Sequence, residues 1–293
     1  MTFGQVISYL QANPVEFIVY AVVLGLLVGS FLNVVIHRLP IMLEKQWLQE
    51  SEAMLNPDKA SVKTQAFNLW VPKSACPHCK IQITAWHNIP VLSYLFLLGR
   101  CHNCKTPISM RYPLVEILSA IACGLLAWKF GPTLSFAGVV LFTWFLLCLF
   151  FIDYQHQLLP DDLTFPLLWL GFAFNINHTF ASLTNAVIGA MAGYIFLWLI
   201  YWLFKLITKK EGMGYGDFKL MAALCAWVGW IYLPIIALVS ALISLIMAIV
   251  LKILAKRELK AAMPYGPSLA IAGWIVLLWG PYFLKLFAIP HHA

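Results

Sequence analysis

Two aspartates stand at the boundaries of strongly apolar segments. Asp153 ends the run LFTWFLLCLFFID (141–153), and Asp217 lies at the start of another run, in GYGDFKL (214–220). A carboxylate at a membrane boundary is energetically costly and usually functional. Two carboxyl groups that fold against each other can share one proton, so that together they polarise a carbonyl and activate water. The pair therefore indicates aspartyl hydrolysis without a metal or a covalent intermediate.

Gly214, Gly216 and Lys219 surround Asp217. Glycines permit a close approach of backbone that other residues forbid, so a substrate could reach the carboxylate here. In the alternative interpretation the glycines only turn the chain into a helix that Asp217 caps. Lys219 either steadies the anion or marks the inner membrane boundary. G-x-G-D alone is a short motif, and its combination with Asp153 favours the functional interpretation.

The acids that follow Asp153 have a simpler explanation. Asp161 and Asp162 come directly after Pro160 and before an apolar segment, which is typical of a helix start, although Asp161 is also a candidate supporting residue. Asp153 ends its apolar segment, where the helix dipole disfavours an anion. Capping therefore does not account for Asp153.

Glu116 is a third acid in an apolar environment, shortly after Arg111-Tyr112-Pro113. It either pairs with Arg111 or holds an amine or a cofactor. The sequence leaves these two interpretations open.

Composition defines the elements that must position these residues. The chain is 62% hydrophobic and 11% charged, which indicates an integral membrane protein. A membrane span needs about 20 mostly apolar residues. We predict an all-α polytopic protein with about eight spans, at 15–36, 114–130, 134–152, 163–180, 185–204, 218–233, 235–251 and 267–288.

The lysines and arginines predict an orientation. With the N-terminus outside, all of the 19 basic residues except Lys129 and Lys285 fall on the cytoplasmic side. Asp153 and Asp217 then both lie at the cytoplasmic boundary, although they are far apart in sequence. The net charge of +7 reflects this topology and contact with anionic lipid, and does not indicate nucleic-acid binding.

A polar insert carries two C-x-x-C pairs separated by 21 residues: Cys76, Cys79, Cys101 and Cys104. Four thiolates at such spacing are the usual shell of a closed structural zinc site. Disulfides and a redox pair are the alternatives, and a cytoplasmic location disfavours stable disulfides. We predict one structural zinc ion in a segment with little core of its own. The chain then divides into a first span (1–39), a cytoplasmic zinc insert (40–112) and a membrane domain that carries both aspartates (113–293); the resemblance described next implies that the insert is linked to methyl transfer and that the membrane domain is the peptidase.

With these motifs the chain resembles the type IV prepilin peptidases, a family of G-x-G-D intramembrane aspartyl proteases. The resemblance runs over essentially the whole length. Its motifs, in order, are Gly29-Ser30-Phe31-Leu32-Asn33-Val34, the tetracysteine insert, Arg111-Tyr112-Pro113 with Glu116, Asp153 with Leu159-Pro160-Asp161, and Gly214-Tyr215-Gly216-Asp217-Phe218-Lys219.

The resemblance implies two activities in the bacterial inner membrane. The leader of type IV prepilins and type II secretion pseudopilins is cut on the cytoplasmic side, and the new N-terminal residue is methylated with S-adenosylmethionine. It places the catalytic aspartates at Asp153 and Asp217 and the zinc ligands at the four cysteines. Methylation in the family is sensitive to a glycine-lysine step, which here is Gly99-Arg100. No nucleotide-binding glycine motif predicts the methyltransferase independently.

Two other function classes explain parts of this sequence. A proton-coupled transporter would use Asp153, Asp217 and Glu116 as a relay, but its acids would be expected at mid-membrane depth and the sequence has no internal repeat. A zinc scaffold without chemistry leaves the two aspartates unexplained. The sequence favours the bifunctional enzyme.

Overall fold

The computed structural model describes residues 2–55, 67–255 and 263–286, and these residues form an all-α protein. Within those ranges the backbone has no β-strand, only two isolated bridges in the cysteine insert. The described residues contain ten α-helices: α1 (Phe3–Ala12), α2 (Pro14–Leu55), α3 (Leu92–Phe96), α4 (Arg111–Phe130), α5 (Leu134–His156), α6 (Asp161–Asn175), α7 (Leu183–Thr208), α8 (Tyr215–Val228), α9 (Leu233–Ala255) and α10 (Gly266–Leu286).

Each of the eight predicted spans falls on a helix. Six of the described helical segments are long and apolar enough to cross a membrane, in α2, α4, α5, α7, α9 and α10. The chain is therefore a multi-pass membrane protein. The other two predicted spans fall on α6 and α8, which have only 15 and 14 residues. Both helices are shorter than the roughly 20 residues that a membrane span requires.

A buried asparagine explains why α6 and α8 are short. Asn175, the last residue of α6, is fully buried, and its Nδ2 donates to the carbonyl oxygens of Ala226 and Trp227 at 2.9 Å each. Its Oδ1 accepts from the amides of Phe180 and Ala181. One side chain thus satisfies the last turn of α8 and the bend after α6, so both helices end at the same place.

The chain forms two compact units, residues 1–148 and 149–293. In the first unit, α2 is a single helix of 42 residues with Pro40 inside it. It extends beyond the predicted span 15–36 into the segment predicted as the insert, of which residues 56–66 lie outside the described part. Helix α4 packs along α2, where the glycines of α2 allow close contact.

In the second unit, α8 is the central helix, packed against α6, α7 and α10. Every residue from Leu220 to Val228 is buried. Gly189 and Gly193 of α7 lie against the α8 backbone, because a Cβ on either would approach the Cys225 or Met221 carbonyl oxygen within 3.1 Å. This close packing holds α8, the helix that carries Asp217 in its first turn.

Candidate active site and metal centre

Asp153 lies in the last turn of α5 and is 5% exposed. Its Oδ2 accepts a hydrogen bond from the backbone N–H of Gly266 at 3.0 Å. A Cβ built on Gly266 would lie 2.6 Å from that oxygen. Only glycine therefore lets the start of α10 approach the carboxylate this closely.

Asp217 lies in the first turn of α8 and is 6% exposed. Its Oδ2 accepts from the backbone N–H of Gly214 at 3.1 Å. This bond is a helix-capping interaction, so the capping role considered from the sequence is present. Capping alone does not account for the burial of the carboxylate, which carries a desolvation cost.

The two carboxyl groups belong to one cluster in the second unit. The charge of Asp153 acts directly on Asp217. The buried side chain of Leu159 packs against Gly216 of α8 and Gly266 of α10. A Cβ added to Gly216 would lie 2.8 Å from Leu159 Cβ, and a Cβ added to Gly266 would lie 3.1 Å from Leu159 Cδ2. The fold thus brings together two acids that are 64 positions apart in sequence.

Tyr265 and Gly266 complete this cluster, and the sequence reasoning missed both. Asp217 interacts electrostatically with the Tyr265 phenol, whose hydroxyl is 2.7 Å from the Ser240 hydroxyl. Burial, with a contribution from the charge of Asp217, raises the pKa of Tyr265 above its ordinary value, so the hydroxyl stays neutral. The available signal was Pro264-Tyr265-Gly266-Pro267, a glycine between prolines at the start of an apolar run.

The predicted supporting residues Asp161 and Lys219 contact each other. Lys219 Nζ lies 2.7 and 2.8 Å from the two carboxylate oxygens of Asp161. Their side chains are 30% and 52% exposed, so the pair contributes little to stability. It joins the start of α6 to the start of α8. Asp161 itself is in the first turn of α6, where Pro160 is the N-cap.

The four cysteines of the insert form a compact thiol cluster in the first unit. Their Sγ atoms all lie within 4.8 Å of one another, and Cys76 Sγ is 3.7 Å from Cys104 Sγ. Tetrahedral zinc with Zn–S bonds of about 2.3 Å places its sulfurs about 3.8 Å apart. Hydrogen bonds from Thr106 lower the pKa of Cys104 to about 6, which favours the thiolate that a metal requires. The donor set therefore fits zinc.

The two C-x-x-C segments adopt the same backbone conformation. In the first, the Cys76 amide donates to the Ile81 carbonyl and the Ile83 amide to the Ser74 carbonyl. The second repeats these bonds 25 positions later, from Cys101 to Thr106 and from Ile108 to Gly99. The lysine after each pair, Lys80 or Lys105, has a positive φ of 59° or 57°. Two matching turns therefore present two thiols each to one point.

Gly99 and Arg100 enter the second of these turns. Gly99 has φ +67°, and a Cβ there would lie 2.8 Å from the Tyr94 hydroxyl. That hydroxyl in turn donates to Met110 Sδ at 2.8 Å. A side chain at position 99 would thus be strained in its backbone and in its contact with Tyr94. Arg100 is exposed and pairs through its backbone with Pro107.

Glu116 is buried in α4 and contacts the insert. Its Oε2 accepts from the Val91 amide at 2.8 Å, and Ser30 of α2 provides a second hydrogen bond. Val91 has a φ of 59° and follows Asn88-Ile89-Pro90. The Arg111 guanidinium lies 4.9 Å from the centre of the Tyr112 ring. Val91 is a further contact that the sequence reasoning did not identify.

Both halves of the chain match known protein families. Residues 23–130 match the bacterial peptidase A24 N-terminal domain, and residues 140–249 match the type IV leader peptidase family. A prepilin leader peptidase/N-methyltransferase of Stutzerimonas stutzeri is 52% identical over 274 residues, covering 94% of each chain. The proteins of the same name from Aeromonas hydrophila and Pseudomonas aeruginosa are 56% and 49% identical, covering 87% and 96% of this chain and 88% and 97% of their own. No solved structure matches. The chain belongs to the type IV leader peptidase family.

Proposed function

We propose that this protein is a bifunctional membrane enzyme that removes the leader peptide of type IV prepilins and then N-methylates the new N-terminal residue. The relatives reported above carry both activities in their names and align along nearly the whole chain. The observation that carries the peptidase is the buried pair of interacting carboxyl groups, Asp153 and Asp217.

In the proposed cleavage the dyad works with one carboxyl group ionised and the other protonated. The ionised group takes a proton from water as the water oxygen attacks the scissile carbonyl, and the protonated group donates its proton to the carbonyl oxygen. Collapse of the resulting diol breaks the C–N bond as the amine leaving group takes up a proton. The amides of Gly266 and Gly214 hold one oxygen of each carboxyl group, which leaves the other oxygen for water.

The supporting residues act on the position of this dyad. Gly216 allows the backbone to pass close to Leu159, and Gly214 donates its amide to Asp217. The Lys219–Asp161 pair holds the starts of α6 and α8 together. These four residues do not themselves exchange protons with the substrate.

We assign methylation to the first unit, with Gly99, Arg100, Arg111 and Glu116 as the linked residues. When bound, S-adenosylmethionine supplies the methyl group. Cys76, Cys79, Cys101 and Cys104 would hold one zinc ion that stabilises the insert around Gly99. Acceptor groups at Glu116 suit a cationic reactant.

The proposed location is the bacterial inner membrane, with the N-terminus outside and the catalytic face cytoplasmic. Support comes from the distribution of lysines and arginines in the sequence. Type II secretion pseudopilins are the second proposed substrate class, and the apolar helices would be surrounded by lipid. The transporter hypothesis finds no counterpart among the relatives reported above, which are named as peptidases and methyltransferases.

The test uses the purified full-length protein and a prepilin, with mass spectrometry of the product N-terminus. Asp153→Asn and Asp217→Asn should each lower cleavage by about 100- to 10,000-fold, because each removes one proton-transferring group. Asp162→Asn is the matched control, since Asp162 is exposed in the first turn of α6. Near-normal cleavage by either dyad variant would disprove the proposed mechanism.

A further inference from the structure

Helices α2 and α4 are in close contact along three successive turns of α2. A Cβ on Gly25 would lie 2.8 Å from Ala120 Cα, and one on Gly29 would lie 2.8 Å from Glu116 Cα. One turn further along α2, Asn33 contacts the Tyr112 carbonyl. The helices are therefore antiparallel, and small residues at i and i+4 allow this approach. Asn33 and Glu116 therefore lie about one helical turn apart in the same α2–α4 interface.

Asn33 has an unsatisfied acceptor in this interface. It is 3% exposed, and its Nδ2 donates to the Tyr112 carbonyl at 3.0 Å and to the Gly29 carbonyl at 3.4 Å. Among the described residues, no hydrogen-bond donor reaches its Oδ1. The amide cannot be turned over, because Oδ1 would then face two carbonyl oxygens. Buried acceptors without a donor are rare in folded proteins and call for an explanation.

Glu116 supplies a second acceptor one turn away. It is 8% exposed and accepts from Val91 and Ser30. A carboxylate has about four acceptor sites, so these two donors do not saturate it. The ion pairs found within the described ranges join Lys205 to Glu211 and Lys219 to Asp161, and neither includes Glu116. A buried carboxylate and a buried amide oxygen thus share one interface, and both can accept further hydrogen bonds.

We propose that Asn33 Oδ1 and the Glu116 carboxylate bind the cationic group of a methyl-transfer reactant. This inference rests on the proposed function and names the ligand chemistry of its methyltransferase half. The remaining acceptor positions of a carboxylate and an amide oxygen favour an ammonium or a sulfonium group over a neutral one. The reaction offers two such groups, the new N-terminal ammonium of the pilin and the sulfonium of S-adenosylmethionine. Ser30 and the Val91 amide orient the carboxylate.

The experiment measures charge selectivity by equilibrium binding to the full-length protein, without turnover. One arm compares S-adenosylmethionine with S-adenosylhomocysteine, which lacks the sulfonium charge. The other compares a mature pilin N-terminal peptide with its N-acetylated form. The wild-type protein should prefer the charged member of at least one pair, and Glu116→Gln should reduce that preference roughly tenfold. The affected pair identifies the bound cation.

Two variants guard against an effect of misfolding. Asn33→Leu removes the Oδ1 acceptor at a similar volume and adds no charge, so it should lower the same preference several-fold. Glu50→Gln makes the same chemical change as Glu116→Gln on an exposed position of α2 and should alter neither preference. Zinc content reports whether each variant is folded.

The inference is overturned if the wild-type protein shows no charge preference in either pair. It is also overturned if a zinc-loaded Glu116→Gln protein keeps both preferences, or if a zinc-loaded Asn33→Leu protein does. A wild-type protein that methylates pilin but fails these binding tests would leave the proposed function intact. A wild-type protein that binds and methylates nothing would refute the methyltransferase itself.

Discussion

At the scale of single residues, the backbone of Gly266 lies directly against the Asp153 carboxyl group of the dyad. Its amide donates to Asp153, and a Cβ at this position would lie 2.6 Å from the accepting oxygen. Gly266→Ala must displace either the carboxylate or the first turn of α10. We expect at least a tenfold lower kcat for prepilin cleavage, since a displacement of about 1 Å can cost about a hundredfold.

Gly4→Ala is the control for this substitution, because nothing lies within 4 Å of a Cβ there. Zinc content and methylation of a pre-cleaved pilin should be unchanged in Gly266→Ala. An unaltered kcat would show that the Gly266–Asp153 contact is not needed for catalysis.

The residues of the dyad could be predicted from the sequence, whereas their partners could not. Asp153 and Asp217 are conspicuous because they are charges in apolar surroundings. Gly266 and Tyr265 carry no such signal, since a glycine and a tyrosine are ordinary residues at the start of an apolar helix. Their importance depends on a long-range contact between the ends of α5 and α10, which local pattern does not encode.

At the scale of helices, Asn175 holds the ends of α6 and α8 together. Asn175→Ala would leave the Ala226 and Trp227 carbonyls and the Phe180 and Ala181 amides without this partner in a buried site. Unsatisfied buried groups cost about 1–3 kcal/mol each, so we expect a loss of about 2–4 kcal/mol after partial relaxation. Thermal unfolding in detergent should show a clear fall in Tm.

Asn13→Ala is the matched control, since the side chain of Asn13 donates to the Tyr9 carbonyl at the end of the short helix α1. Its Tm should stay within about 1–2 °C of wild type, because substitutions at exposed, weakly connected sites change stability little. An equally small shift in Asn175→Ala would argue against the role of Asn175 in joining the two helices.

Apolar segments locate the helices well but not their ends. The predicted segments 163–180 and 218–233 run past the observed ends at Asn175 and Val228. The residues beyond these ends are apolar, so hydropathy continues where the helix stops. A buried asparagine and a glycine with φ +90° at Gly229 decide the ends instead. Helix α2 departs in the opposite direction, since the predicted span ends at residue 36 whereas the helix continues through Pro40 to Leu55.

At the scale of the whole molecule, the two proposed activities belong to different compact units. The thiol cluster, Gly99 and Glu116 lie within residues 1–148, and the aspartate dyad lies within residues 149–293. Each unit also corresponds to its own family match. We therefore expect substitutions in the insert to lower the rate of methylation more than the rate of cleavage.

Removal of zinc tests this separation. The insert has little buried core, so loss of the ion should unfold the two matching cysteine turns and release Gly99 and Val91 from their positions. We expect that replacing Cys76, Cys79, Cys101 and Cys104 by serine abolishes bound zinc, measured by elemental analysis, and lowers methylation at least tenfold. The replacement of Cys123, Cys148 and Cys225 by alanine is the control, because these buried thiols lie outside the cluster. Unchanged zinc content in the serine variant would disprove the metal site. Equal loss of cleavage and methylation would instead show that the peptidase also depends on a folded insert.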